Sequence, residues 1–231
     1  MKMIIHVGSG KAASTTLQEI FQEHPKVFYL RDQWHDQIRI KPNNSLEVAV
    51  YSSEMLGTWV THNRIGCVVE KDGFFERVEK TAIILSKLFP NAEILFVRKD
   101  FTEDTLLSSY SQAVKTGFSG KPADIIKNQQ YIDFTRQDDN IAIWKRYFSN
   151  VHVVEYEELK VDSNAFYRRI EEIVGFKLAI DSLNKTKKNT KWSTRQIYIA
   201  RSINALANRI IFSNRYYKIY IILMRKFVNL F

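Results

Sequence analysis

A chain of 231 residues with 45% apolar content is long enough to bury a sizeable core in one soluble domain, and nothing in it resembles a repeat or a long disordered tract. Its single cysteine, Cys67 between Gly66 and Val68, excludes an intrachain disulfide and has no neighbours suited to a metal site or a catalytic pair, so it reads as a buried, inert thiol. The net charge of +9 is uneven: residues 182–231 hold 11 basic and no acidic residues, which leaves 23 basic against 25 acidic, or −2, in residues 1–181.

The chain enters its first predicted strand, residues 3–8, at once. That leaves no room for a signal-peptide core or an anchor at this end, and with the lone cysteine it gives a reducing, cytoplasmic location as the expectation. The apolar run Ile4-Ile5-His6-Val7 then breaks at Gly8-Ser9-Gly10 and restarts as a hydroxyl-rich helix over 14–24. Lys11 and the backbone N–H groups of Gly8, Ser9, Gly10, Ala12, Ala13, Ser14, Thr15 and Thr16 fall around one spot at the positive end of that helix, where an anion can sit. A Walker A loop is excluded. It needs a glycine where Ile5 stands and a magnesium-binding hydroxyl where Ala12 stands. The hydroxyls come three to five residues after Lys11, placed to bind a terminal phosphate without a metal.

Lys11-Ala12-Ala13-Ser14-Thr15-Thr16-Leu17-Gln18 resembles the 5′-phosphosulfate loop of sulfotransferases that use 3′-phosphoadenosine 5′-phosphosulfate (PAPS), written Pro-Lys-x-Gly-Thr-Thr. Gly10 replaces the proline, Ala13 the glycine and Ser14 the first threonine, all small. The resemblance implies that PAPS is the co-substrate and that no metal is needed. It also implies that Lys11, with Ser14, Thr15 and Thr16, stabilises the leaving phosphate.

A second strand over 47–52 finishes near Glu54. Carbohydrate sulfotransferases similar to this chain often carry a catalytic glutamate there, so Glu54 is the leading base; as a plain sequence feature it is equally the first-turn acid of a following helix. Histidine is the other candidate base. His6 reads as a core or strand-end residue, and His35 and His62 fall in segments without a pattern.

A helix over 73–89 leads to the strand 93–98, which ends on Arg98, and a helix over 104–116 follows. In the sulfotransferase family a strand-ending arginine and a serine near the start of the next helix grip the cofactor's 3′-phosphate. Arg98 matches the first and Ser108, in Ser108-Ser109-Tyr110, the second. The ten-residue separation exceeds the family's common eight, which keeps Ser109 as an alternative. Without a ligand, Arg98 is solvated or paired with Asp100.

Gly117, Gly120 and Pro122 interrupt periodicity over 117–136, so this stretch is expected as a mobile loop over the site. A helix over 138–149, a strand over 151–156 and a helix over 163–174, capped by Asp162 or Ser163 and ended by Gly175, complete the pattern. The fold expected is α/β, a P-loop-like parallel sheet flanked by helices on both faces, with ligands at the carboxyl ends of its strands. Two regions are expected: 1–190 as the sulfotransferase-like domain and 191–231 as a basic helical extension.

Lys185, Lys187, Lys188 and Lys191 form a basic loop. In many sulfotransferases a late basic loop closes over the 3′-phosphate, and by that resemblance Lys187 and Lys188 are cofactor-binding candidates; the loop is otherwise solvated. A helix begins near Thr194. From 215 to 231 charged residues recur at helical spacing among aromatic and aliphatic ones, with apolar runs far shorter than the roughly 20 residues that span a bilayer. Residues 212–231 therefore suit peripheral contact with an anionic membrane or another subunit; packing on their own domain is the alternative.

The function expected is transfer of a sulfuryl group from PAPS to a hydroxyl or amine of a carbohydrate or glycolipid acceptor. The alternatives are a phosphate-loop nucleotide or sugar kinase, and a basic protein binding membrane or nucleic-acid surfaces. The basic residues lack an aromatic platform or recognition-helix pattern, so nucleic acid is not the expected partner.

Overall fold

Four consecutive buried residues in each of two strands, Ile4–Val7 and Ile94–Val97, require cover on both faces of the sheet they enter. In the computed structural model, which describes residues 1–8, 13–31, 46–53, 73–178, 180, 192–210 and 214–228, that sheet has five parallel strands. They are β1 (Lys2–Gly8), β2 (Val27–Arg31), β3 (Val48–Ser53), β4 (Glu93–Arg98) and β5 (Val151–Glu155), in the order β2-β3-β1-β4-β5. The α/β parallel architecture expected from the sequence is the one found.

The chain divides into two units by its internal contacts. The first comprises 1–59, 74–100 and 133–185; the second comprises 60–73, 101–132 and 186–231. The division expected at 190/191 falls among residues outside the described set.

In the first unit α1 (Ser14–Glu23) and α8 (Ser163–Val174) cover one sheet face. Leu17, Ile20 and Phe21 of α1 and Phe166, Ile170 and Val174 of α8 cluster with Ile4, Val50, Leu95, Val97 and Val154. On the opposite parity Ile5, Val7, Ile94 and Phe96 are also fully buried. There α6 (Gln137–Tyr147) lies against β4 and β5 and packs on α2 (Phe74–Leu88). As expected, Asp162 caps α8, its carboxylate accepting from the Ala165 N–H at 3.0 Å, and Gly175 ends it at φ 84°, a left-handed conformation that suits glycine. A short α7 (Tyr156–Val161) stands where a turn was expected.

The second unit holds α3 (Glu103–Lys115), α4 (Pro122–Ile126), the start of α5 (Gln129–Thr135), α9 (Thr194–Ile210) and α10 (Asn214–Val228). Here the reading of 117–136 as a loop is corrected. Pro122 occupies the first helical position, where its missing N–H costs nothing, the Asp124 carboxylate accepts from the Lys121 N–H at 2.6 Å, and Asn128 Oδ1 accepts from the Tyr131 N–H at 3.2 Å. Of the residues that look like breakers, Pro122 opens α4 and Gly117 and Gly120 lie in the short link that precedes it. Strand β2 was also unread in the sequence; it is an edge strand with Phe28, Tyr29 and Leu30 only half-buried.

Candidate functional site

The strand register fixes where the carboxyl tips lie. Gly8 of β1 is level with Val97 of β4, Ser53 of β3 with Val7, and Glu155 of β5 with Arg98. The chain leaves β1 toward β2 and β3 on one side, and leaves β4 toward β5 on the other, so the switch point lies between β1 and β4. Gly8 and Arg98 stand on adjacent strands at that point, on strands about 4.8 Å apart.

Helix α1 begins here. Its N-cap, Ala13, has φ 57° and ψ 10°, and among described residues it is the one non-glycine with positive φ. It stands at the position of the glycine in the sulfotransferase loop, and it adopts the conformation glycine would take without strain. The first intrahelical bond runs from the Leu17 N–H to the Ala13 carbonyl at 3.0 Å, so the N–H groups of 14–16 have no acceptor within the helix. The N-cap side chain makes no bond to them and the first turn carries no acid, a helix start whose positive end suits an anion. Thr15 and Thr16 are half-buried there. Ser9, Gly10, Lys11, Ala12, Glu54, Lys187, Lys188, His35 and His62 lie outside the described residues.

A buried polar group joins β1, β3 and α1. His6 is buried, with Nδ1 2.8 Å from Ser52 Oγ, and Gln18 Nε2 donates to the same hydroxyl at 3.2 Å. The Ser52 hydroxyl accepts from Gln18 and shares its bond with His6 Nδ1 in a direction set by the imidazole tautomer. Burial holds the His6 pKa down to about 4. His6 is thus a core residue, as its place in β1 suggested. The signal for Ser52 and Gln18 was a polar residue at the inward register of a strand and of a helix face, which is visible only once the strands are paired.

Arg98 is engaged by carboxylates, though not by Asp100. Its Nη1 is 3.0 Å from Asp138 Oδ1 at the start of α6, and its Nε is 3.7 Å from Glu155 Oε2. The neighbourhood is acidic. Burial raises the Glu155 pKa, Arg98 opposes the rise, and Asp100, Glu157 and Glu158 add to it. The backbone at this tip is fixed, because Gln137 Oε1 accepts from the Lys99 N–H at 3.1 Å while its Nε2 donates to the Lys99 carbonyl. Asp138 is 78% exposed, so its pair with Arg98 is a solvent-screened contact that a phosphate can replace.

Ser108 and Ser109 lie on α3 in the second unit, both half-buried. The Ser109 hydroxyl is hydrogen-bonded to Tyr131, whose pKa is raised by burial and lowered by that bond. Among the described residues no three histidine, cysteine, aspartate or glutamate side chains gather as a metal site.

No family model matches the chain, and no curated protein matches it. Among solved structures it is similar to mouse sulfotransferase SULT7A1 complexed with PAP, at 13% identity and a TM-score of 0.43. The match covers 89% of this chain and 66% of that one, just under two thirds of its length.

Proposed function

We propose that the chain is a sulfotransferase that takes a sulfuryl group from PAPS and passes it to a hydroxyl of a carbohydrate-like acceptor. The observation that carries this reading is the uncapped, acid-free start of α1 at the switch point of the sheet, entered through Ala13 in the glycine-like conformation and preceded in sequence by Lys11. In this reading the N–H groups of 14–16 and the hydroxyls of Ser14, Thr15 and Thr16 hold the 5′-phosphosulfate. Arg98, on the adjacent strand, takes the 3′-phosphate together with Ser108, and Lys187 or Lys188 closes over it.

The acceptor oxygen attacks sulfur in line; a new O–S bond forms as the S–O bond to the 5′-phosphate breaks. The acceptor proton goes to Glu54, which follows directly on the last residue of β3, and the bonding pair leaves on 3′-phosphoadenosine 5′-phosphate. Lys11 and the helix start stabilise the charge that grows on that phosphate.

Calorimetric titration with 3′-phosphoadenosine 5′-phosphate and with ADP, without added metal, tests the reading. Strong preference for the 3′-phosphorylated nucleotide is the expected result, with affinity for both nucleotides weakened in Lys11→Ala and the preference itself reduced in Arg98→Ala. Equal affinity for the two, or turnover that requires ATP and magnesium, overturns it in favour of a kinase. Glu54→Gln should abolish sulfuryl transfer while nucleotide affinity stays near wild type; retained turnover removes Glu54 from the role of base.

A further inference from the structure

Helices α9 and α10 form an antiparallel hairpin. Gln196 Nε2 donates to the Val228 carbonyl at 3.3 Å and the Tyr220 hydroxyl donates to Asn204 Oδ1 at 2.5 Å, so the start of α9 meets the end of α10 and their middles meet. From Ile219 onward α10 has two distinct faces. Met224 and Val228 are buried, and Arg225 Nε donates to the Lys115 carbonyl of α3 at 2.8 Å. On the other side Ile219, Ile222, Leu223 and Phe227, spaced to share one stripe, are 48–59% exposed. Lys226, also exposed, sits within that stripe. A helix that only packed on its own unit would put polar residues outward; this one puts four large apolar side chains there.

Charge selects the occupant. Residues 194–228 carry seven arginines and lysines and no acid. A second copy of the same face would set like charges against each other. Nucleic acid matches the charge but offers nothing to Ile222, Leu223 and Phe227. An anionic bilayer supplies both partners, acyl chains for the stripe and headgroups for the cations. No helix of the described residues is long and apolar enough to cross a membrane, and α10, with 15 residues and about 22 Å of length, is suited to lying in the interface plane. We propose that the outward face of α10 is a docking surface for anionic lipid bilayers.

Flotation of the full chain with phosphatidylcholine vesicles, with and without phosphatidylserine, tests this. Binding is expected with the phosphatidylserine vesicles and is expected to weaken as salt is added. Leu223→Glu combined with Phe227→Glu should reduce the bound fraction roughly tenfold or more, since two exposed side chains lose their apolar burial. Ile84→Glu, at an equally exposed apolar position on α2, should leave binding unchanged, and unaltered circular dichroism and thermal unfolding would show that the variants remain folded. The proposal is overturned by failure of the wild type to float with phosphatidylserine, or by equal flotation of wild type and double variant. It is also overturned if the double variant abolishes lipid-free dimerisation or DNA binding instead, which would assign the face to a second copy or to nucleic acid.

Discussion

Arg98 Nη1 lies 3.0 Å from Asp138 Oδ1, which places the cation expected to grip a phosphate under the hold of a carboxylate from the first turn of α6. The contact is solvent-screened and worth at most about 1 kcal/mol, equivalent to about a fivefold change in affinity. Asp138→Asn should therefore strengthen binding of 3′-phosphoadenosine 5′-phosphate by up to about fivefold. Arg98→Ala should weaken it by about tenfold or more, because a charge-assisted contact to phosphate is lost outright. Calorimetry on the two variants decides: if both match wild type, Arg98 belongs to an acidic surface network and to no ligand.

Below the strand tips, His6 makes stability depend on acidity. Its pKa is lowered from 6.5 to about 4 by burial, so between those values the unfolded chain binds the proton and the folded one does not. The contribution is complete above about pH 6.5 and is lost as the pH falls toward 4, amounting to roughly 3 kcal/mol across the window. Urea unfolding of wild type and His6→Gln at several pH values should show a shallower slope for the variant there. Parallel slopes would mean that this imidazole does not titrate with folding.

Ala13 carries strain that its side chain does nothing to offset. Its φ of 57° costs an L-residue about 1–2 kcal/mol, and the methyl group makes no capping bond. Ala13→Gly should raise stability by about 0.5–1 kcal/mol, after subtracting glycine's extra freedom in the unfolded chain, and shift Tm upward by about 1–4 °C. A lowered Tm would indicate that the turn before α1 is not left-handed in solution.

Much of this arrangement is legible in the order of residues alone. The apolar runs Ile4–Val7 and Ile94–Val97 could only be strands buried on both faces, and Asp162 and Gly175 mark the ends of α8 by their side-chain chemistry. The helices at 122–135 were hidden because the residues that open them, Pro122 at the first helical position and Asn128 before α5, are of the same types as turn residues. Strand β2 was hidden because an edge strand of five residues need not alternate clearly. At the site, Arg98 was visible as a strand-ending cation. Its partners Asp138 and Glu155 were not, since they arrive from two other elements and only the strand order brings them together. His6, Ser52 and Gln18 are 46 and 34 residues apart in their pairings, beyond the reach of any local pattern.

In the second unit one buried amide joins three helices. Asn204 Nδ2 donates to the Val114 carbonyl at 2.9 Å and to the Phe118 carbonyl at 3.0 Å, at the end of α3, while its Oδ1 accepts from Tyr220 of α10. Asn204 is fully buried, so its removal exposes no replacement partner to these groups. In Asn204→Leu the Val114 carbonyl keeps the Gly117 N–H, but the Phe118 carbonyl and the Tyr220 hydroxyl both lose this partner. Each such loss costs about 1–3 kcal/mol, so the variant should be destabilised by roughly 2–6 kcal/mol, whereas Tyr220→Phe, which leaves Asn204 Oδ1 short of this donor, should cost about 1 kcal/mol. The two effects share one bond, so the double variant should be less destabilised than the single losses added together. Urea denaturation of the three proteins measures this. Strict additivity, or a loss below about 0.5 kcal/mol for Asn204→Leu, would show that packing alone, without this amide, seats α9 and α10 on α3.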